Sequence, residues 1–154
     1  MATSITRVFD LLKHNLENFP KDEFISGKVS GKWNKYSTQQ FCETVNYLSR
    51  ALTTKGIAKG SRVAVMSPNR PEWNICDYAI MQLGAYQIPL YPTLAEHDIK
   101  FIIENAEVTV VFVNDRIVDA VAVPALGRME IVPVVSQGCR PIGEPLTVTR
   151  ADHN

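Results

Sequence analysis

Between Arg62 and Val113 the chain alternates two kinds of apolar run, and no other feature restricts its fold as tightly. Arg62 to Met66, Tyr86 to Leu90 and Val108 to Val113 have the length of strands, whereas Glu72 to Leu83 and Glu96 to Asn105 read as helices. The last run is almost wholly apolar, as a strand must be when helices cover both faces of a parallel sheet. Punctuation falls at the joints: Pro71 stands in the first turn of one helix, Gly84 just past its end, and Thr93 with Glu96 opens the next. This order of strand, helix, strand, helix, strand predicts an α/β fold with right-handed crossovers and a doubly wound parallel sheet.

Upstream, Val8, Leu11, Leu12, Leu16 and Phe19 recur at three- and four-residue intervals and predict a helix with one apolar face, ended by Pro20. Glu23 to Val29 and Lys32 to Tyr36 predict a hairpin turning at Ser30-Gly31. Ser37-Thr38-Gln39-Gln40 matches a capping box, so a helix starts there, with Phe41, Val45, Leu48 and Leu52 as its apolar stripe and Gly56 as its stop. Gly56 and Gly60 are not read as a phosphate loop. They precede a strand, whereas phosphate loops follow a strand and open a helix with a lysine and a hydroxyl.

The 154 residues are 45% hydrophobic and 21% charged, enough apolar surface to offset the entropy of ordering, which excludes whole-chain disorder. Sixteen basic residues balance sixteen acidic ones, so no long-range field favours nucleic acid or an anionic membrane as partner. Tyr78 to Ala95 runs for 18 residues without a charge, but Gln82, Gln87, Gly84, Pro89 and Pro92 break it up, and it is not read as transmembrane. Cys42, Cys76 and Cys139 are too widely spaced for a zinc or thiol-exchange motif, and His14, His97 and His153 form no metal set. Free buried thiols, together with an N-terminal stretch interrupted by Arg7, Asp10 and Lys13, imply a cytoplasmic protein without a signal peptide.

Composition changes sharply near residue 114. All 13 aromatic residues and all eight lysines lie at or before residue 113, while the last 41 residues hold four arginines and four prolines. Aromatic residues anchor cores, so the chain divides into 1–113, which carries the fold, and a divergent tail, 114–154, expected to be poorly ordered or irregular. Ile117 to Leu126 and Met129 to Val135 are the runs able to form a short helix or strand within it.

The segment from Ser67 to Thr93, SPNRPEWNICDYAIMQLGAYQIPLYPT, closely resembles the N-terminal region of long-chain fatty-acid CoA ligases, which belong to the AMP-forming adenylate-forming superfamily. KYSTQQFCETVNYLSRAL and GIAKGSRVAVMSPN are similar to that family's first core helix and strand, and EHDIKFIIENAEVTVVFVND to the next helix and strand. The resemblance runs from about Ile5 to Asp115. It implies an enzyme that uses ATP and magnesium to activate a fatty acid as an acyl-adenylate and passes the acyl group to coenzyme A. Such chemistry needs amides, hydroxyls and cations around the phosphates and an acid for the ribose. The Ser/Thr/Gly-rich phosphate loop with its Pro-Lys-Gly ending, which the family carries beyond this point, is absent from the sequence. Hence no catalytic, cofactor-binding or metal residue is assigned, and the expectation is an N-terminal portion of such a ligase, inactive by itself.

The residues nearest to candidates have structural readings that outweigh functional ones. Ser67, Asn69 and Arg70 follow the first parallel strand, at the edge where doubly wound sheets bind ligands, yet they also suit a loop before a helix that starts with Pro71 and Glu72. Trp73 and Tyr78 suit the core, and Tyr91 and Thr93 a turn. His97 and Asp98, being adjacent on a helix, are not expected to face each other. An alternative reading, from a different class, is a non-catalytic module that pairs with a ligase chain through the open edges of a three-stranded sheet.

Overall fold

In the computed structural model, the described residues are 5–29, 31–114 and 130–134. They form four helices and six strands. Helix α1 spans Asp10–Asn18, strands β1 (Ile25–Val29) and β2 (Lys32–Tyr36) form the hairpin, and helix α2 spans Thr38–Thr54. Then follow β3 (Arg62–Met66), α3 (Pro71–Gln82), β4 (Tyr86–Leu90), α4 (Glu96–Asn105), β5 (Val110–Asn114) and β6 (Glu130–Val134). The predicted order between Arg62 and Val113 is the observed one.

The central sheet is parallel throughout, in the order β4-β3-β5-β6. Val63, Val65, Val110 and Phe112 turn to one face, where Phe41, Val45, Leu52, Ile75, Ala79 and Ile80 bring α2 and α3 against them. Ala64, Met66, Val111 and Val113 turn to the other, under Ile99 and Ile103 of α4. The step from β3 to β4 and the step from β4 to β5 run in opposite directions across the sheet, with their helices on opposite faces. The two crossovers therefore share one hand, as the twist of the strands requires.

β6 adds a fourth strand beside β5, one more than the alternating pattern up to Val113 predicts. Its β-branched residues Ile131, Val132 and Val134 suit an extended chain. The rest of 114–154, the stretch expected from its composition to be a divergent tail, lies outside the described residues with Cys139 and His153, as does the turn residue Ser30 of the hairpin.

Local chemistry follows the capping and turn expectations in most places. Ser37 accepts from the Gln40 amide at 3.1 Å while the Gln40 side chain accepts from the Ser37 amide at 2.9 Å, closing the capping box that starts α2. Gly84 stands at φ +68° after α3, in the left-handed region that the chain needs to turn back into β4. Two expectations need correction. The apolar face read along the first helix is only partly used: Leu12 is buried and Leu16 packs against the core, but Val8 and Phe19 are 60% and 61% exposed. The regular helix is shorter than the pattern, from Asp10 to Asn18, so both outer residues fall beyond its ends. Thr93 does not cap α4; the N-cap is Ala95, and Leu94 N–H closes a turn onto the Tyr91 carbonyl at 3.1 Å. No helix of the described residues is long and apolar enough to cross a membrane.

Candidate functional site

In the order β4-β3-β5-β6, the chain leaves β3 toward one edge of the sheet and β5 toward the other. The adjacent carboxyl ends of β3 and β5 are thus the topological switch point, where doubly wound sheets open a crevice for ligands. The loop from Ser67 to Arg70 lies there and defines the candidate site.

Its polar groups are largely turned inward. Ser67 is buried, and its hydroxyl donates to the Pro68 carbonyl at 3.0 Å, while Asn69 stands exposed. Arg70 is extended and precedes Pro71 at the first turn of α3. Its Nε donates to Glu72 Oε2 at 2.7 Å, with the two side chains only 13% and 10% exposed. The other Glu72 oxygen accepts from the Tyr36 hydroxyl at 3.0 Å, and Asn34 Nδ2 donates to that hydroxyl at 3.3 Å. Glu72 therefore spends both oxygens on a network that ties the hairpin to the start of α3. Arg70 Nη2 is buried without an acceptor among the described residues. Arg70 and Glu72 were readable as loop and helix-start residues; Tyr36, from a distant strand, was not read as their partner, because an i to i+36 contact leaves no periodic signal.

Trp73 and Tyr78 pack against the core beneath α3, as expected for aromatic residues at helical spacing. Tyr78 meets Phe41 edge-on at 5.9 Å between ring centres. Burial, then Asp77 and Cys42 beside it, raises the Tyr78 hydroxyl above its ordinary range, and burial likewise raises the Asp77 carboxyl and the Cys42 thiol. Cys42 and Cys76 are buried, and neither is in a disulfide among the described residues. Tyr91 is exposed in its turn, remote in character from the inward-facing loop. His97 and Asp98 depart from expectation, since Nε2 and Oδ1 approach to 3.2 Å. Both side chains are well exposed, at 83% and 50%, so they bend toward each other through solvent and the contact is screened. Among the described residues no group of three or more His, Cys, Asp or Glu is placed to hold a metal ion.

Comparison with known proteins places this architecture. The family of AMP-binding enzymes matches residues 12–151, and the chain belongs to that family. It is 32% identical to Long chain acyl-CoA synthetase 3 of Arabidopsis thaliana over 117 residues, covering 73% of this chain and 18% of the relative. It is 32% identical to Fatty acyl-CoA synthetase A of Dictyostelium discoideum over 99 residues, covering 64% of this chain and 15% of the relative. Among solved structures it resembles Klebsiella oxytoca NpsA, in complex with 3-hydroxyanthranilyl-AMSN, with a TM-score of 0.70 at 21% identity over 84% of this chain and 25% of that one. That likeness is one of fold. The chain spans less than a fifth of the length of these two curated relatives.

Proposed function

We propose that this chain is the N-terminal portion of a long-chain fatty-acid CoA ligase, supplying part of the α/β scaffold of an adenylate-forming domain and not catalysing by itself. The observation that carries this reading is the pairing of a family match over residues 12–151 with similarity to long-chain acyl-CoA synthetases of which the chain spans only 14–19%. In such an enzyme ATP and magnesium activate the fatty acid as an adenylate, and coenzyme A takes the acyl group.

The residues at the switch point do not suit that nucleotide. Glu72 is the one acid held in the network there, with one oxygen accepting from the Arg70 guanidinium and the other from the Tyr36 hydroxyl, so its charge is already matched within the joint. No run of hydroxyls and glycines cradles a triphosphate anywhere in the sequence. The compositional boundary between 113 and 114 and a cytoplasmic location, in keeping with buried cysteines that form no disulfide among the described residues, belong to the same reading.

The test is pyrophosphate release by the pure 154-residue protein with ATP, magnesium and a long-chain fatty acid. The expected rate is that of the buffer blank. Fatty-acid-dependent release above the blank would end this reading.

A further inference from the structure

The local charge of the hairpin departs from the balance of the whole chain. Between Ile25 and Tyr36 stand three lysines, Lys28, Lys32 and Lys35, and no acid, although the full sequence sets sixteen basic residues against sixteen acidic ones. The neutrality that disfavours an anionic partner for the chain at large does not extend to this element.

Contacts on one face of the hairpin fix the direction of the other. Ile25 and Tyr36, paired across the strands, pack against the core, and Gly27 rests on Pro71. The Tyr36 hydroxyl donates to Glu72 at 3.0 Å. Side chains alternate along a strand, and directly opposed residues share a face. The pairs Ser26 with Lys35 and Lys28 with Trp33 therefore point away from α3. All four of these residues are exposed, Trp33 by 62%, and Lys32 is exposed beside it at the turn end of β2. An indole thus stands directly across from one lysine and next in sequence to another, on an element held in place from behind. Lys35 pairs with Glu23 at the base of the hairpin, so its charge is matched locally.

We propose that this outer face docks on an anionic lipid surface, with Trp33 at the level of the headgroups and Lys28 and Lys32 against their negative charge. An indole suits that depth because its ring is apolar and its N–H is a donor. Lysines close to an anionic leaflet add an attraction that salt screens. A single-stranded nucleic acid fits less well, since it needs a charged groove and a succession of stacking rings, and this face offers one ring. The contacts to Pro71 and Glu72 hold the face in shape before it docks, so little order has to be created on binding. The inference does not depend on whether the chain catalyses.

The experiment is titration of the full chain with phosphatidylcholine vesicles, with and without phosphatidylserine, followed by tryptophan emission and co-sedimentation. Trp73 already packs against the core, so a blue shift and a loss of acrylamide quenching on the vesicles report Trp33. Both changes are expected on vesicles containing phosphatidylserine, and both should fade as salt is added. The double variant Lys28→Gln, Lys32→Gln is expected to co-sediment about 25-fold more weakly, about fivefold for each lysine. Trp33→Ala should weaken it further and abolish the emission change. Circular dichroism establishes that the variants keep their fold, and the emission of the natural chain tests the proposal without them. Equal binding to phosphatidylcholine alone, unchanged emission on the anionic vesicles, or undiminished co-sedimentation of the folded lysine variant overturns the proposal. Tighter binding of a single-stranded oligonucleotide that displaces the vesicles from Trp33 overturns it as well.

Discussion

At the scale of single residues, the Tyr36–Glu72–Arg70 network decides whether the loop after β3 is a binding site or a joint. Glu72 holds a nearly buried guanidinium on one oxygen and a tyrosine hydroxyl from the hairpin on the other. Glu72→Gln keeps the shape and removes the opposing charge, and breaking a buried pair in this way is expected to cost about 3 kcal/mol in urea unfolding. Tyr36→Phe, which loses one neutral donor, is expected to cost about 1 kcal/mol. If the glutamine variant proved no less stable than the phenylalanine variant, the ion pair would not hold the joint. Asp77 gives a second prediction, of opposite sign. Burial raises its carboxyl, so the folded chain holds that proton more readily than the unfolded chain does. The resulting penalty is fully present at neutral pH, is relieved as pH falls through the raised folded value, and is gone below the unfolded value of about 3.9. Asp77→Asn should therefore raise the melting temperature at neutral pH and leave it unchanged well below that value. A variant less stable at neutral pH would show that the carboxylate is held by a favourable partner.

At the scale of elements, the hairpin is placed by a close approach. A Cβ added to Gly27 would lie 2.5 Å from Pro71 Cδ, inside any tolerable contact, so β1 can rest on the start of α3 only because residue 27 has no side chain. Gly27→Ala is expected to destabilise the protein by about 1–3 kcal/mol through overpacking and to loosen the hairpin. Faster amide exchange at Phe24, whose N–H bonds the Tyr36 carbonyl at 2.8 Å, is the check, and unchanged exchange would refute the idea. The capping box, the parallel strands and the helices around them were legible because each rests on residues close in sequence. Pro71 to Gln82, for example, begins at its proline and stops just before Leu83-Gly84. The role of Gly27 was not legible, since nothing local distinguishes a glycine required by a contact 44 residues away from one in an ordinary strand. For the same reason Val8 and Phe19 fall on the predicted apolar face yet stand exposed: periodicity reports a face but not whether a neighbour reaches its ends. Of the candidate site, the loop position was readable and its internal use was not. The sequence places Ser67 to Arg70 after a strand, but only the fold supplies Tyr36.

At the scale of the whole molecule, two apolar clusters lie on opposite faces of one sheet, and the strands between them belong to both. β5 sends Val110 and Phe112 into the cluster beneath α2 and α3 and Val111 and Val113 into the cluster beneath α4. An unfolding event that frees α4 therefore exposes the back of the same strand that α2 and α3 pack against. Ile103→Ala removes a side chain only 3% exposed, and such truncation is expected to cost about 2–5 kcal/mol. Because β3 and β5 are shared, this loss should reach the far cluster. Trp73 packs on the α2–α3 side, and its fluorescence should report a lower unfolding midpoint in Ile103→Ala even though the altered residue is across the sheet. Trp33, exposed on the hairpin, is replaced by phenylalanine in both proteins to isolate that signal. A midpoint that stays fixed while the amides of α4 exchange faster would show two independently folding layers. In that case the shared strands would not couple them, and the scaffold role proposed for this chain would rest on the α2–α3 layer alone.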